Sequence, residues 1–136
     1  MMAPRILRNA NILLVRDVKA SAHYFVSKCG FKDPTFHGPE EKFCMLHRDT
    51  AELMLSEAPA DYEIVPFWKV NDQLWNIYYW VDDVEALYAE MKAAGAKIDY
   101  ELCDQPWGCR EFGIQDLDGH DIAFGQIMEG TQTDEP

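Results

Sequence analysis

The sequence predicts an α+β protein built from two tandem βαβββ modules. Two helical segments each begin after an aspartate and end at a glycine, Asp17 to Gly30 and Asp83 to Gly95. Each is preceded by one strand-like apolar run and followed by three. The registers agree as well, because Ala10 with Asn76 and Asp17 with Asp83 both give an offset of 66 (76 − 10 and 83 − 17). A supersecondary unit recurring at a fixed offset marks an internal duplication.

Residues 10–16, Ala-Asn-Ile-Leu-Leu-Val-Arg, read as a buried strand running into Asp17, whose carboxylate is placed to cap a helix over residues 18–29. Ala22, Phe25, Val26 and Cys29 recur at helical spacing and predict its buried face, while Lys19, His23, Ser27 and Lys28 look outward. Gly30 stops the helix. Strands follow over 31–37, 42–48 and 52–56, separated by Gly38-Pro39 and Asp49-Thr50. Residues 58–74 break the pattern with Pro59, Asp61, Pro66 and Asp72 yet carry Tyr62, Phe67 and Trp68, so they read as a linker that packs. The second module repeats the scheme: a strand over 76–81, a helix over 84–94 with Val84, Leu87, Tyr88 and Met91 inward, and strands over 97–102, 110–115 and 121–127. Asp118-Gly119 supplies the turn between the last two strands. One domain is expected, with module one at 10–57, a linker at 58–74, module two at 75–127 and an acidic tail at 128–136.

Composition excludes several function classes. A net charge of −12 and a pI near 4.5 argue against a nucleic-acid partner and favour a cationic one. Cys29, Cys44, Cys103 and Cys109 form no CxxC pair, which leaves no zinc ribbon or thioredoxin-type site and suits buried thiols in a reducing compartment. The apolar run after Arg5 and Arg8 is cut by Arg16 and Asp17, too short for a signal peptide, and no later run approaches the roughly 18 residues of a membrane span. A cytoplasmic location without membrane partners is expected.

Within the last third, Gln105-Pro-Trp-Gly108 sets an aromatic ring beside two backbone punctuators, as in a loop that closes over something flat. Trp107 therefore either contacts a ligand or covers the edge of the sheet. Asp116-Leu-Asp118-Gly-His-Asp121 resembles a calcium loop only superficially, since its glycine is fourth rather than sixth and Ile127 stands where a bidentate Glu belongs. GxSxG, P-loop and HExxH motifs are absent. His37, His47 and His120 are single histidines without a partner visible in the sequence.

Arg16-Asp17-Val18, Cys29-Gly-Phe31, Leu87-Tyr-Ala-Glu90, Gln105-Pro-Trp-Gly108 and Arg110-Glu-Phe112, set on a duplicated βαβββ unit, resemble the vicinal oxygen chelate superfamily. That superfamily includes glyoxalase I, extradiol dioxygenases, and fosfomycin and bleomycin resistance proteins. The likeness covers residues 10–127 and is strongest to the bleomycin resistance proteins. It implies a curved mixed sheet around a concave cleft. It places the metal ligands of metal-dependent members at Ala10, Met54, Asn76 and Ala123, a set that cannot hold a divalent ion, so neither a metal nor another cofactor is expected. It puts a flat heteroaromatic ligand between Phe43 and Trp107. Asn76, Tyr78 and Trp80 share one parity on the fifth strand and are expected on the same concave face. Phe112 is expected near them or in the core. The resemblance also implies a homodimer with ligand grooves at the subunit interface and residues 1–9 as an arm. The function it implies is metal-free sequestration of a cationic aromatic small molecule of the bleomycin type; the alternative is an enzyme or lyase of the same superfamily acting on a small metabolite.

Overall fold

A computed structural model describes residues 2–128, so most of the expected acidic tail lies outside the described residues. The element order is β1 (Ala10–Val15), α1 (Val18–Cys29), β2 (Lys32–His37), β3 (Phe43–Arg48), β4 (Ala51–Glu57), α2 (Phe67–Val70), β5 (Ile77–Trp80), α3 (Val84–Ala94), β6 (Lys97–Asp104), β7 (Cys109–Gln115) and β8 (Asp121–Ile127). The two βαβββ modules stand as expected, but their strands form two sheets rather than one curved sheet. One four-stranded mixed sheet has the order β1-β4-β3-β2 and the other β5-β8-β7-β6. The reason lies in the pairing: the last strand of each module returns beside its own first strand in parallel, Ile12 opposite Met54 and Tyr78 opposite Ala123. The chain falls into two compact units, one up to Ile64 and the other from Val65, so the division cuts the 58–74 segment.

Both helices are fixed at their ends in the same way. Asp17 accepts from the Ala20 N–H at 3.0 Å and Asp83 from the Ala86 N–H at 3.1 Å. A second cap comes from the end of each module's last strand. Glu57 takes the Val18 N–H at 3.1 Å, and Gln126 takes the Val84 N–H at 2.9 Å. Each helix start thus satisfies two of its four free amides with side chains. Gly30 and Gly95 end the helices at φ 75° and 92°, a left-handed conformation that costs other residues more.

The helices lie on one face of their sheets. In the first unit Val18, Ala22, Phe25 and Cys29 meet Leu13, Leu46, Leu53 and Leu55. Tyr24 is buried whereas Val26, expected inward, is exposed. Both neighbours of Phe25 lie about 100° around the helix from it, and the larger ring is the one that folds down. In the second unit Val84, Leu87 and Met91 cover Phe112, Ile114, Ile122 and Phe124. Phe112 stacks on Phe124 at 5.2 Å and meets Tyr88 edge-on at 5.1 Å.

The packed linker has its own anchors. Arg16 donates to the Pro59 and Tyr62 carbonyls in the first unit. In the second, the Trp68 indole donates to the Gly119 carbonyl at 2.7 Å and the Phe67 N–H to Asn76 Oδ1 at 3.2 Å. The short α2 between these anchors has no sequence periodicity to betray it, because four residues barely make one turn. Replacing Asp83 by Ala is expected to lower stability by about 1 kcal/mol, the ordinary value of an N-cap, as read by urea denaturation with an unchanged m-value.

Candidate functional site

The open face of the second sheet is built around a buried carboxylate. On β7, Cys109, Glu111, Gly113 and Gln115 turn away from α3, and Glu111 is fully buried there. Tyr78 from β5 donates its hydroxyl to Glu111 Oε1 at 2.7 Å; Tyr100 from β6 donates to Oε2 at 2.6 Å, and Gln105 Nε2 adds a third bond at 3.1 Å. The two rings reach Glu111 from opposite sides by lying flat across neighbouring strands. They can do so because those strands carry glycine. A Cβ at Gly125 would come 2.8 Å from Tyr78 Cζ, and one at Gly113 would come 2.7 Å from Tyr100 Cδ1. Burial, followed by the Glu111 carboxylate, pushes both phenols well above their usual range.

A row of rings continues from this cluster. Trp75 donates its indole N–H to the Tyr100 hydroxyl at 3.0 Å and meets Tyr78 edge-on at 4.9 Å. Trp107 stands edge-on to Trp75 at 6.5 Å, at the tip of the four-residue loop 105–108 between β6 and β7. That loop is closed by Gln105 N–H to the Cys109 carbonyl at 2.7 Å, and Gly108 supplies its positive φ of 88°. At its base Arg110 clamps Asp104 through two bonds and Glu85 of α3 through a third. These rings border a cavity of about 710 Å³ lined by Trp68, Trp75, Tyr100 and Trp107 together with Asp72, Asp99, Glu111 and Asp121. The rest of its wall is Gln73, Gln105, Pro106 and Gln115, with no lysine or arginine.

Two carboxyls beside the β7–β8 turn are held above the usual aspartate range. Asp116 is raised to about 6 by burial, against the opposing pull of His120. Its Oδ1 accepts the Asp118 and His120 amides at 3.0 and 2.8 Å and so shapes the predicted hairpin turn. Asp121 is raised to about 6, first by burial and then, against the Gln115 amide, by the Asp99 carboxylate.

The expected contact residues take different places. Trp107 lines the cavity and is half exposed. Tyr78 positions Glu111 from behind the cavity wall, and Trp80 packs on Tyr78 at 4.7 Å with 63% of its surface open. Asn76 spends its side-chain oxygen on α2. Phe112 points to the helix side, one residue from Glu111 and hence on the opposite face, and belongs to the core. Phe43 is in the first unit, half-buried on a separate cavity of about 390 Å³ beside His37 and Lys42. The first unit's larger cavity, about 800 Å³, has no Phe, Tyr or Trp in its wall; Arg8 pairs with Glu52 there at 2.9 Å, and His47 Nε2 lies 3.0 Å from Asp33 Oδ2. It therefore lacks the stacking surface of the second. Glu111 and Tyr100 stand in the sequence as ordinary strand residues. The signal for them is the pair of glycines inside β7 and β8, since a glycine within a strand marks the close approach of another group.

The residues present do not fit a divalent metal at the inherited ligand positions. Ala10 and Ala123 offer no donor, Met54 offers only a thioether, and the Asn76 oxygen is engaged. Among the described residues no three His, Cys, Asp or Glu side chains converge as a metal-binding group.

The family description of the Glyoxalase/Bleomycin resistance protein/Dioxygenase superfamily matches residues 6–124. The chain belongs to this superfamily. Several solved structures share the architecture at low identity. The bleomycin-binding protein from bleomycin-producing Streptomyces verticillus, complexed with copper(II)-bleomycin, is 24% identical over 90% of this chain and 97% of its own, with a TM-score of 0.67. TnmS3, an antibiotic binding protein from Streptomyces sp. CB03234, is 20% identical over 92% and 100%, with a TM-score of 0.66. A glyoxalase-related enzyme from Clostridium phytofermentans is 15% identical over 94% and 100%, with a TM-score of 0.71. No curated protein matches the chain significantly. Among the described residues no helix of this superfamily member is long and apolar enough to cross a membrane.

Two outcomes follow from the cluster and the turn. Gly125→Ala is expected to push the Tyr78 ring off Glu111 and to cost about 1–3 kcal/mol by overpacking, measured by chemical denaturation, with a changed phenol signal in near-ultraviolet circular dichroism. Asp116 and Asp121 hold protons in the folded state that the unfolded chain has already released between pH 4 and 6. Their contribution to stability is thus gained as pH falls through about 6. A melting temperature that rises from neutral pH towards pH 5, and rises less in Asp116→Asn, is the expected result.

Proposed function

We propose that the protein is a metal-free binding protein that sequesters a cationic aromatic small molecule, of the kind represented by bleomycin-family antibiotics. The observation that carries this reading is the wall of the second unit's cavity, which joins four aromatic rings and four carboxylates and contains no lysine or arginine, while Lys69 lies 5.5 Å from the Trp68 ring. Rings of this kind favour flat partners, and a carboxylate-lined, partly enclosed surface favours cations. The whole chain adds a field of the same sign, with a net charge of −12. Trp107 offers one stacking face, and Phe43 is assigned the second by family likeness. A homodimer in the cytoplasm completes the proposal. The antibiotic-binding descriptions of two structural neighbours support it at the level of fold.

A second reading is an enzyme of the same superfamily acting on a small metabolite. The His47 and Asp33 pair in the first unit's cavity favours it, since an oriented imidazole is the usual general base.

Titration of metal-analysed protein with metal-free bleomycin, followed by tryptophan emission, separates the two. Sequestration predicts saturable quenching that weakens with salt and rises in Kd by about 2- to 30-fold in Trp107→Ala, the equivalent of about 0.5–2 kcal/mol for one stacking contact. The same loss is expected in Phe43→Ala. Unchanged affinity in both variants removes the sandwich, and turnover of a metabolite that His47→Ala abolishes replaces the binding reading.

A further inference from the structure

The cavity contains a buried acceptor with nothing to accept. Asp121, the first residue of β8, is only 7% exposed and lines the cavity, and its Oδ1 takes no hydrogen bond. Its backbone carbonyl is already engaged with the Asn76 N–H at 2.8 Å. The groups around it include three carboxyls, one lysine and one histidine. From β6 come Asp99 and Lys97, from β7 Gln115 opposite it in the ladder, from the turn Asp116 and His120, and from the segment before β5 Asp72. The other N–H groups of the wall are largely committed. Trp68 donates to Gly119, Trp75 to Tyr100, Gln105 to Glu111 and Gln115 to Asp99, the last at 3.4 Å. A buried carboxylate oxygen is costly without a donor, and a group that carries both positive charge and an N–H answers that cost.

We propose that Asp121, with Asp99 beside it, is the subsite for an N–H-bearing cation: a primary or secondary ammonium or an amidinium at one end of a ligand whose ring lies against Trp75 and Trp107. The inference rests on the reading of this cavity as a cationic aromatic site and adds to it the kind of cation and a dependence on pH. A quaternary ammonium has the charge but cannot fill the empty acceptor. Because burial and Asp99 raise the Asp121 carboxyl to about 6, the free site holds a proton in mild acid and must release it on binding. Affinity for such a cation then falls as pH drops through that value, by about tenfold near pH 5, where roughly one carboxyl in ten is ionised.

The test is calorimetric titration of the full chain with tryptamine and with its trimethylammonium analogue, which keep one ring and one charge and differ in N–H donors. It is run near pH 7.5 and near pH 5, in two buffers of different ionisation enthalpy. The expected result is that tryptamine binds at least tenfold tighter than the analogue at the higher pH, loses about tenfold at the lower, and releases a proton there. Asp121→Asn, with its fold checked by thermal unfolding, should abolish that pH dependence; Asp99→Asn, at an exposed position, serves if the first variant does not fold. Equal, pH-independent binding of both probes overturns the subsite while leaving the aromatic cavity standing. Failure of both probes to bind at either pH overturns the subsite and the cationic aromatic reading together.

Discussion

The second unit depends on one buried charge. Glu111 has no exposed surface, and a carboxylate in that position is tolerated only because both oxygens are met by hydroxyl donors and one also by an amide. The donors come from β5, from β6 and from the loop that carries Trp107. Thus one side chain on β7 ties together strands at both edges of the sheet and the tip of its main loop. Tyr100 is held by one of these bonds and holds Trp75 in turn, which fixes that part of the cavity wall. A wall already in place costs a ligand little ordering free energy on binding.

The duplication supplies the frame on which that wall is built. Both modules use the same frame: an Asp cap, a second cap from the last strand, a glycine stop and a parallel return strand. The open faces of the two sheets have diverged. In the first, Arg8 pairs with Glu52, His47 meets Asp33, and Phe, Tyr and Trp are missing from the lining of the larger cavity. In the second, carboxylates gather without a basic partner in the wall. The frame therefore sets the fold, whereas side chains on alternate strand positions decide what each face recognises.

Much of this was legible before any coordinates. Periodicity located both helices to the residue, since caps and stops are local chemistry at Asp17, Gly30, Asp83 and Gly95. Strand ends shifted by a residue or more, because β6 and β7 extend to the foot of the Gln105–Gly108 loop through pairing that only a partner strand supplies. The site was less legible. Trp107 stood out by its loop chemistry, but Glu111 lies three residues from Gly108 in a run that reads as an ordinary strand. Its role emerges only when Tyr78 and Tyr100, 33 and 11 residues away, are folded over glycines onto it. Asp121 was hidden likewise, as the opening residue of a strand whose burial depends on three other segments.

The placement of the indoles has a further consequence. All four tryptophans, Trp68, Trp75, Trp80 and Trp107, fall in the second unit, and the first contains none. The molecule is therefore optically lopsided: its tryptophan emission is a property of one half, and the other half carries only the weaker tyrosines Tyr24 and Tyr62. Tryptophan emission excited at the red edge reports the second sheet directly, whereas far-ultraviolet circular dichroism reports both. Coincidence or separation of the two unfolding curves thus reads directly whether the duplicated halves melt as one cooperative body or as two.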